Sequence, residues 1–258
     1  MRDIAMVIPC WKSPELLEIC IPSLLRSITT DSEVIVVLNE ADDRSKLILD
    51  ELKVKHIDRV DNNGPSAVDY AIPYIKEQNF KYVSNINSDM VFQVGWDKIV
   101  IDTLEKNKPC TVSLTLVEPV NNGIHVVFDN LGVFTSPTIS ERFNDKLKSY
   151  KSYDAVYYSH PITCLTKDYL AVNGYSDNMN QIWIDVKGRG LDDDFPFRLL
   201  KLDPNYKFIR SGKAFVYHGI SLNSNKLATR TPGGEVFFNK NKESMSTFRH
   251  KINIGGKL

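Results

Sequence analysis

The fold is indicated by residues 4–38, which read IAMVIPCWKSPELLEICIPSLLRSITTDSEVIVVL. The two continuous apolar runs, residues 4–8 and 34–38, are typical of strands that are buried on both faces. Between them, Ser13-Pro14-Glu15 favours a helix start, because a serine can cap a helix, a proline fits its first turn and an acid interacts well with its positive end. Pro22 lacks an N–H group and is expected to kink or split that helix. The stretch therefore predicts a strand, a helix and a second strand in succession.

Apolar runs and helix-like segments continue to alternate up to about residue 114. Further strands are predicted at residues 57–60, 82–86 and 111–114, and helices at residues 45–52, 66–77 and 98–106. Residues 118–152 are expected to be irregular, and a second structured block begins near Ala155 and closes with an apolar strand at residues 214–217. This alternation predicts an α/β fold with a mostly parallel, Rossmann-like twisted sheet that is flanked by helices on both faces.

The composition is that of a folded protein. Hydrophobic side chains make up 42% of the 258 residues, which is too many for a disordered chain. No apolar stretch approaches the roughly 18 residues that a membrane-spanning helix needs, and the first residues show no signal-peptide pattern. The four cysteines include no CxxC pair and are expected to be buried free thiols. We therefore expect a cytoplasmic protein without a transmembrane segment.

Charge is balanced in total but not along the chain. The 32 basic and 32 acidic residues cancel, which argues against a protein that coats nucleic acid or anionic membrane. Residues 219–258 hold seven basic and two acidic residues and so carry +5, which leaves −5 for residues 1–218. We expect one domain over residues 1–218, with halves at about 1–117 and 118–218, followed by a basic C-terminal extension at residues 219–258.

Polar residues follow the predicted strands, and ligands of an open parallel sheet bind beyond the carboxyl ends of its strands. Neither GxGxxG after the first strand nor GxxxxGK[ST] occurs, which argues against the usual dinucleotide and P-loop phosphate sites. The carboxylates and amides at the strand ends suit a hydrated divalent cation and a phosphate ester. These polar segments are residues 9–12, 39–43, 61–64 and 87–89.

Several short motifs occur in a fixed order between residues 4 and 221. They are Pro9 after the first strand, Val36-Val37-Leu38-Asn39, Asn62-Asn63-Gly64, Asn87-Ser88-Asp89, Gly95-Trp96, Thr163-Cys164-Leu165-Thr166-Lys167, Gly174-Tyr175, Gly190-Leu191-Asp192-Asp193-Asp194-Phe195 with Arg198, and His218-Gly219-Ile220-Ser221. In this order and spacing, the chain resembles the GT-A fold glycosyltransferases of the family 2 type. The resemblance implies an enzyme that moves a sugar from a nucleoside diphosphate to an acceptor hydroxyl, with a smaller acceptor-side region and usually a divalent metal.

The resemblance implies a donor site along the first strand ends. Pro9 and Trp11 begin the loop that packs against the donor base, and the flat face of Trp11 can stack on a uracil-type ring. A core or lid tryptophan is the structural alternative. Asn39 matches the second residue of the pair that contacts the nucleoside, while Leu38 replaces the first. The other implied donor-binding residues are Asn63, Gly64, Asn87 and Ser88.

Asn87-Ser88-Asp89 occupies the position of the family's DXD motif, which holds Mn²⁺ or Mg²⁺ against the donor diphosphate. Asp89 keeps the carboxylate, and Asn87 offers a neutral oxygen. His218 matches a histidine that often completes the metal site of the family. The structural alternatives are a turn aspartate after a strand and a structural histidine.

Three adjacent aspartates, Asp192, Asp193 and Asp194, precede an apolar segment. Their like charges repel, so one of them takes up a proton more readily, as a general base must. The resemblance, counted back from Arg198, aligns Asp192 with the family's base, and Leu191 stands where a glutamate is usual. Asp193 competes for this role, and a helix N-terminus stabilised by acids is the structural alternative. A base of this kind implies a single in-line displacement that inverts the anomeric carbon. A retaining enzyme, which would need another route, is the alternative.

The sequence therefore predicts a metal-dependent, inverting glycosyltransferase with a UDP-sugar as the expected donor. A nucleotidyltransferase of the same fold is a weaker hypothesis, because residues 9–12 are not its Gly-rich loop. A catalytically dead nucleotide-sugar-binding module is another alternative, given Leu38, Asn87 and Leu191. The basic extension, with Lys226 and Arg230, is expected to close over the donor diphosphate. Its alternatives are contact with a membrane surface or with a polyanionic acceptor such as DNA that carries hydroxymethylated bases.

Overall fold

The computed structural model describes residues 1–62, 64–119, 126–175 and 191–219. Of residues 64, 65, 191–194 and 197 it describes the backbone only. Three predicted donor-binding residues, Asn63, Lys226 and Arg230, lie outside the described residues.

The described residues form ten strands, seven α-helices and two 3₁₀ helices. The strands are β1 (Arg2–Trp11), β2 (Glu33–Asn39), β3 (Lys55–Asp58), β4 (Phe80–Asn85), β5 (Met90–Phe92), β6 (Cys110–Glu118), β7 (Val126–Phe128), β8 (Ala155–Val156), β9 (Ile162–Leu165) and β10 (Lys207–His218). The α-helices are α1 (Pro14–Ser27), α2 (Asp43–Glu51), α3 (Ile72–Glu77), α4 (Trp96–Asn107), α5 (Ile139–Lys146), α6 (Thr166–Ala171) and α7 (Leu191–Leu202). The 3₁₀ helices are Gly64–Ala71 and Leu147–Ser149.

One mixed, mostly parallel sheet forms the centre of the fold. Its strand order is β3-β2-β1-β4-β9-β6-β10-β5, with β7 beside β6 and β8 beside β10. The first four strands are parallel to one another, and β6 is parallel to β10. Because β9 is antiparallel to both β4 and β6, those two strands run in the same direction. The carboxyl ends of β1, β2, β4, β6 and β10 therefore share one edge, the carboxyl edge, whose residues include Trp11, Asn39, Asn85, Glu118 and His218.

Helices cover both faces of the sheet, because the strand side chains alternate between two apolar clusters. Successive residues of β1, such as Met6 and Val7, belong to different clusters. The first cluster packs against α1, α2 and α4, and the second against α3, α6, α7 and the first 3₁₀ helix. A third cluster packs α5 against the ends of β5, β6 and β10. The α/β fold with helices on both faces is thereby confirmed.

Local details differ from the sequence predictions. The third strand is Lys55–Asp58 rather than residues 57–60, and residues 66–77 form a 3₁₀ helix followed by α3. The prediction that residues 118–152 are irregular is wrong in part, since they include β7 and α5. Helix α1 also does not split at Pro22, because its buried face, including Cys20 and Leu24, is held in the core on both sides of the proline.

The cysteine prediction is confirmed. All four cysteines are buried and free, and none forms a disulfide. Burial raises the pKa of Cys10 and of Cys20 to about 12, so both thiols stay protonated at neutral pH. Within the described part of the chain, no helix combines the length and the apolar character that crossing a membrane requires.

Gly174 lies in the turn after α6 and allows this turn to come close to the first 3₁₀ helix. Its φ is +60°, and a Cβ at this position would lie 2.2 Å from the Oδ1 atom of Asp69. The backbone N–H of Tyr175 donates a 3.1 Å hydrogen bond to this same carboxylate, and the hydroxyl of Tyr169 donates another. The glycine of the Gly174-Tyr175 motif is therefore required so that the first 3₁₀ helix and the turn after α6 can meet.

We expect Gly174→Ala to lower the free energy of unfolding by about 2–4 kcal/mol, because it combines a left-handed backbone with overpacking. Gly132→Ala is the matched control, since Gly132 also has a positive φ (+98°) but its added Cβ would meet only the guanidinium end of Arg142 at 3.0 Å. Urea unfolding of both variants measures the difference. If both variants lost the same free energy of unfolding, the clash with Asp69 would contribute nothing to the effect of Gly174→Ala.

Candidate active site

The turn between β4 and β5 carries Asp89 into contact with the end of β10. Strands β5 and β10 are antiparallel, and Met90 pairs with His218. The Nε2 atom of His218 lies 3.4 Å from the Oδ1 atom of Asp89, and the backbone N–H of Gly219 donates a 2.9 Å hydrogen bond to the Asp89 carbonyl. The structure thus brings together the two predicted metal ligands, which are 129 positions apart in the sequence.

The close packing around residue 219 explains why a glycine follows His218. A Cβ on Gly219 would lie 2.3 Å from the ring of Phe134. That ring packs in turn against Tyr217, at a centroid distance of 6.4 Å. A side chain at position 219 would therefore push the chain away from Asp89.

Glu118 is a member of this cluster that the sequence reasoning missed. It ends β6, which is parallel to β10, and Val117 pairs with Tyr217. Glu118 and His218 are the next residues of the two strands, and their Oε1 and Nδ1 atoms are 2.8 Å apart. The sequence does indicate the position of Glu118 at a strand end, because it is the first charged residue after the apolar segment that starts at Cys110. The predicted strand ended at Leu114, four residues too early.

The electrostatics of the cluster are dominated by two buried carboxylates. Asp89 and Glu118 are only 6% and 4% exposed, whereas His218 is partly exposed. Burial lowers the pKa of His218, but the hydrogen bonds and charges of Asp89 and Glu118 outweigh it and raise the pKa to about 10. In the absence of any other cation, a protonated imidazole therefore offsets part of the charge of the two acids.

These residues fit a divalent cation that takes part of its ligands from another molecule. In the described ranges, no group of three His, Cys, Asp or Glu side chains is arranged to hold a metal ion. Asp89 and His218 provide two ligand atoms 3.4 Å apart, and neighbouring ligands of a six-coordinate ion with bonds of about 2.1 Å are about 3 Å apart. A cation here would need its remaining ligands from water or from a phosphate group.

A second group of predicted residues lies at the carboxyl ends of β1 and β2. Trp11 and Asn39 are paired in register, so they are neighbours at the carboxyl edge. Asn39 is buried, and Pro9 and Trp11 are partly exposed, so Trp11 is not a fully buried core residue. The indole N–H of Trp11 donates a 3.2 Å hydrogen bond to Glu40, which also forms an ion pair with Lys12. The hydrogen bonds from Lys12 and Trp11 lower the pKa of Glu40, so this carboxylate stays ionised and fixes the edge of the indole ring.

The remaining predicted site residues lie in the turn before Asp89, at the start of the first 3₁₀ helix and in the first turn of α7. Asn87 and Ser88 are partly exposed and precede Asp89, and the Asn87 carbonyl accepts a hydrogen bond from the Cys20 thiol at 3.8 Å. Gly64 begins the first 3₁₀ helix. The backbone places Asp192, Asp193 and Asp194 in the first turn of α7, and their side chains lie outside the description.

Just after these aspartates, helix α7 packs against α6 and the turn that follows it. The Phe195 ring stacks on Tyr175 at a centroid distance of 4.8 Å, and Leu199 is fully buried one turn later. Arg198 donates a hydrogen bond to the carbonyl of Val172, at the end of α6. The residues that follow the first turn of α7 are therefore packed in the core, and this packing fixes the position of the first turn.

Several solved structures have a fold similar to that of this chain. Staphylococcus aureus TarS 1-349 superimposes with a TM-score of 0.57 and 15% identity, over 84% of this chain and 60% of that chain. The mannosyltransferase PcManGT from Pyrobaculum calidifontis, in complex with GDP-Man and Mn²⁺, gives 0.58 and 11%, over 85% and 57%. GalNAc-T7 with UDP, GalNAc and Mn²⁺ gives 0.58 and 11%, over 84% and 44%. The chain thus spans about half the length of these proteins, and at these identities the likeness concerns the fold.

Family membership rests on the sequence itself. A search of curated proteins finds no significant match. The sequence model of glycosyl transferase family 2 matches residues 5–170, which is more than half of the chain and includes β2 to β9 and Asn87-Ser88-Asp89. The chain belongs to glycosyl transferase family 2, and its α/β fold is similar to the folds of the solved structures above.

Proposed function

We propose that this protein transfers a sugar from a nucleoside-diphosphate sugar to an acceptor hydroxyl, with Mn²⁺ or Mg²⁺ bound by Asp89 and His218. The observation that carries the proposal is the contact between these two side chains at the carboxyl edge of a family 2 chain. Ligands of open α/β sheets bind at this edge. Mn²⁺ in the complexes of PcManGT and GalNAc-T7 supports the choice of cation.

The metal site in this proposal uses the residues of the DXD-like motif. Asp89 and His218 hold the cation, and Asn87 and Ser88 line the diphosphate beside them. A bound divalent cation stabilises the negative charge that develops on the leaving diphosphate. The two buried carboxylates of the cluster favour a cation at this place.

The nucleoside part of the donor lies, in this proposal, over the ends of β1 and β2. Trp11 stacks on the base, Asn39 and Pro9 line the ring, and Asn63 with Gly64 complete this side of the site. The hydrogen bond between Trp11 and Glu40 supports the stacking role, because it fixes the ring of a partly exposed tryptophan. A UDP-sugar is the proposed donor, in line with the complexes of TarS with UDP and UDP-GlcNAc.

The proposed base is Asp192, with Asp193 and Asp194 as neighbouring acids in the first turn of α7. Its carboxylate takes the proton of the acceptor hydroxyl while the oxygen attacks the anomeric carbon. The bond from that carbon to the diphosphate oxygen breaks on the opposite face, so the configuration inverts. The packing of Phe195 and Leu199 supports the role, since it gives the first turn of α7 a fixed position.

The second half of the domain and the basic extension complete the proposal. We assign residues 118–218 to the acceptor side and residues 219–258 to a segment in which Lys226 and Arg230 contact the donor diphosphate. The acceptor is a hydroxyl-bearing molecule. If Lys226→Ala and Arg230→Ala leave donor binding unchanged but weaken a salt-sensitive binding of DNA, DNA is favoured as the acceptor instead. Four buried free thiols support a reducing compartment such as the cytoplasm.

Incubation with a panel of nucleotide sugars and Mn²⁺ tests this function. The protein should release nucleoside diphosphate from one donor class by background hydrolysis, and calorimetry should show that Mn²⁺ strengthens binding of the same donor. Binding without any release, with every acceptor class offered, would favour the dead binding module instead.

Asp89→Asn should weaken Mn²⁺-dependent donor binding and reduce kcat about 100-fold, because it removes a charged ligand of the cation. Asp58→Asn is the matched control, since Asp58 also ends a strand but pairs with Lys46 and His56. Steady-state kinetics over a range of Mn²⁺ concentrations measures both effects. Unchanged metal dependence in Asp89→Asn would exclude Asp89 as a ligand.

Asp192→Asn should lower kcat by about 10²–10⁴-fold while donor affinity stays the same, because the amide cannot accept a proton. Asp193→Asn, one residue along the same turn, serves as the matched variant and should lose far less. The measurements are turnover by product release and donor affinity by calorimetry. Full activity in Asp192→Asn would overturn the assignment, and a larger loss in Asp193→Asn would transfer the role to that residue.

Trp11→Ala should raise the donor KM about 10-fold with little change in kcat, because base stacking contributes about 1–3 kcal/mol. Trp11→Phe keeps a flat ring and should recover most of the affinity. Fluorescence titration with UDP, next to steady-state kinetics, reads out both variants. If alanine at this position left UDP binding intact, the indole would have no part in base recognition.

A further inference from the structure

Glu118 lies on the side of the His218 ring that faces away from Asp89. The Glu118 Oε1 atom is 2.8 Å from Nδ1, whereas the Asp89 Oδ1 atom is 3.4 Å from Nε2. The two carboxylates therefore contact different nitrogens of one imidazole. Glu118 is 4% exposed and comes from β6, so its position is fixed by the strand and by burial.

The two nitrogens of a neutral imidazole have different roles. One carries a proton and donates a hydrogen bond, and the other has a free electron pair that can bind a metal. A carboxylate that accepts from Nδ1–H keeps the proton on that nitrogen and leaves Nε2 free. Metal-binding histidines commonly have such a partner, and its removal typically costs 10–100-fold in metal affinity.

We infer that Glu118 is a positioning residue that holds His218 as the Nδ1–H tautomer, with Nε2 aimed at the cation that Asp89 also binds. This inference rests on the proposed function, since it concerns the same cation. Glu118 contributes through the ring of His218 and does not itself bind the cation. It acts across the β6–β10 pair, because the register that places Val117 opposite Tyr217 brings Glu118 beside His218.

The test compares Glu118→Leu, which removes the acceptor oxygen, with Glu118→Gln, which keeps one. Free Mn²⁺ is measured by electron paramagnetic resonance during titration of each variant in the presence of UDP. We expect a 10–100-fold weaker Mn²⁺ affinity in the leucine variant and a loss of only a few fold in the glutamine variant. Glu33→Leu is the matched control, because the Glu33 carboxylate likewise accepts side-chain hydrogen bonds, from Arg2 and Tyr74, but lies at the opposite edge of the sheet.

A second readout reports the tautomer directly. Long-range ¹H–¹⁵N spectra of the Mg²⁺ and UDP complex distinguish Nδ1–H from Nε2–H, and His218→Gln assigns the signal among the five histidines. The wild type and Glu118→Gln should show Nδ1–H. At the same subsaturating Mg²⁺ concentration, Glu118→Leu should show a smaller Nδ1–H signal than the wild type, while circular dichroism shows a folded protein.

The outcomes separate this inference from the proposed function. Wild-type Mn²⁺ affinity in a folded Glu118→Leu variant, or an Nε2–H signal in the wild-type complex, overturns the role of Glu118 and leaves the function intact. If Glu118→Gln loses affinity as completely as the leucine variant while Nδ1–H persists, the carboxylate binds the cation itself and the inference is wrong. A wild type that binds neither Mn²⁺ nor UDP overturns the proposed function, and the inference with it. If the leucine variant does not fold, the tautomer of His218 in the wild type and the Mn²⁺ affinity of Glu118→Gln decide whether Glu118 positions the ring.

Discussion

The common direction of five strands determines where the polar residues of this protein meet. β1, β2 and β4 run parallel, and β9 connects them to β6 and β10 without changing their direction, because it is antiparallel to both of its neighbours. Polar residues that are far apart in sequence therefore end at the same edge. If β9 were parallel to one of its neighbours and antiparallel to the other, β6 and β10 would run opposite to β4, and Glu118 and His218 would lie at the opposite edge from Asp89.

The edge has two parts with different chemistry. At the ends of β1 and β2 a partly exposed indole is held by a carboxylate, which suits a flat, uncharged ring. At the ends of β6 and β10 two buried carboxylates surround one imidazole, which suits a cation. A nucleoside diphosphate bound to a metal combines these two properties in one molecule. The proposed donor therefore matches the edge as a whole.

The sequence predicted the alternation of strands and helices, since continuous apolar runs require burial on both faces of a parallel sheet. The resemblance also named Asp89 and His218 as candidate metal ligands, and the structure places these two side chains in contact. The sequence did not identify Glu118, because the end of β6 was placed at Leu114 and the register of β6 on β10 depends on packing. The short strands β5, β7 and β8 were missed for a related reason, since segments of two or three residues are stabilised by their partners alone. Helix α1 shows the opposite case, in which core packing overrides the local effect of Pro22.

We expect Asp89 and His218 to bind the cation of a nucleotide-sugar complex. A crystal of the wild-type protein grown with Mn²⁺ and UDP tests it directly through the anomalous scattering of manganese. We expect one strong anomalous peak within bonding distance of a carboxylate oxygen of Asp89 and of Nε2 of His218, with diphosphate oxygens and water in the remaining positions. A peak at another place, or UDP bound away from the carboxyl edge, would contradict it.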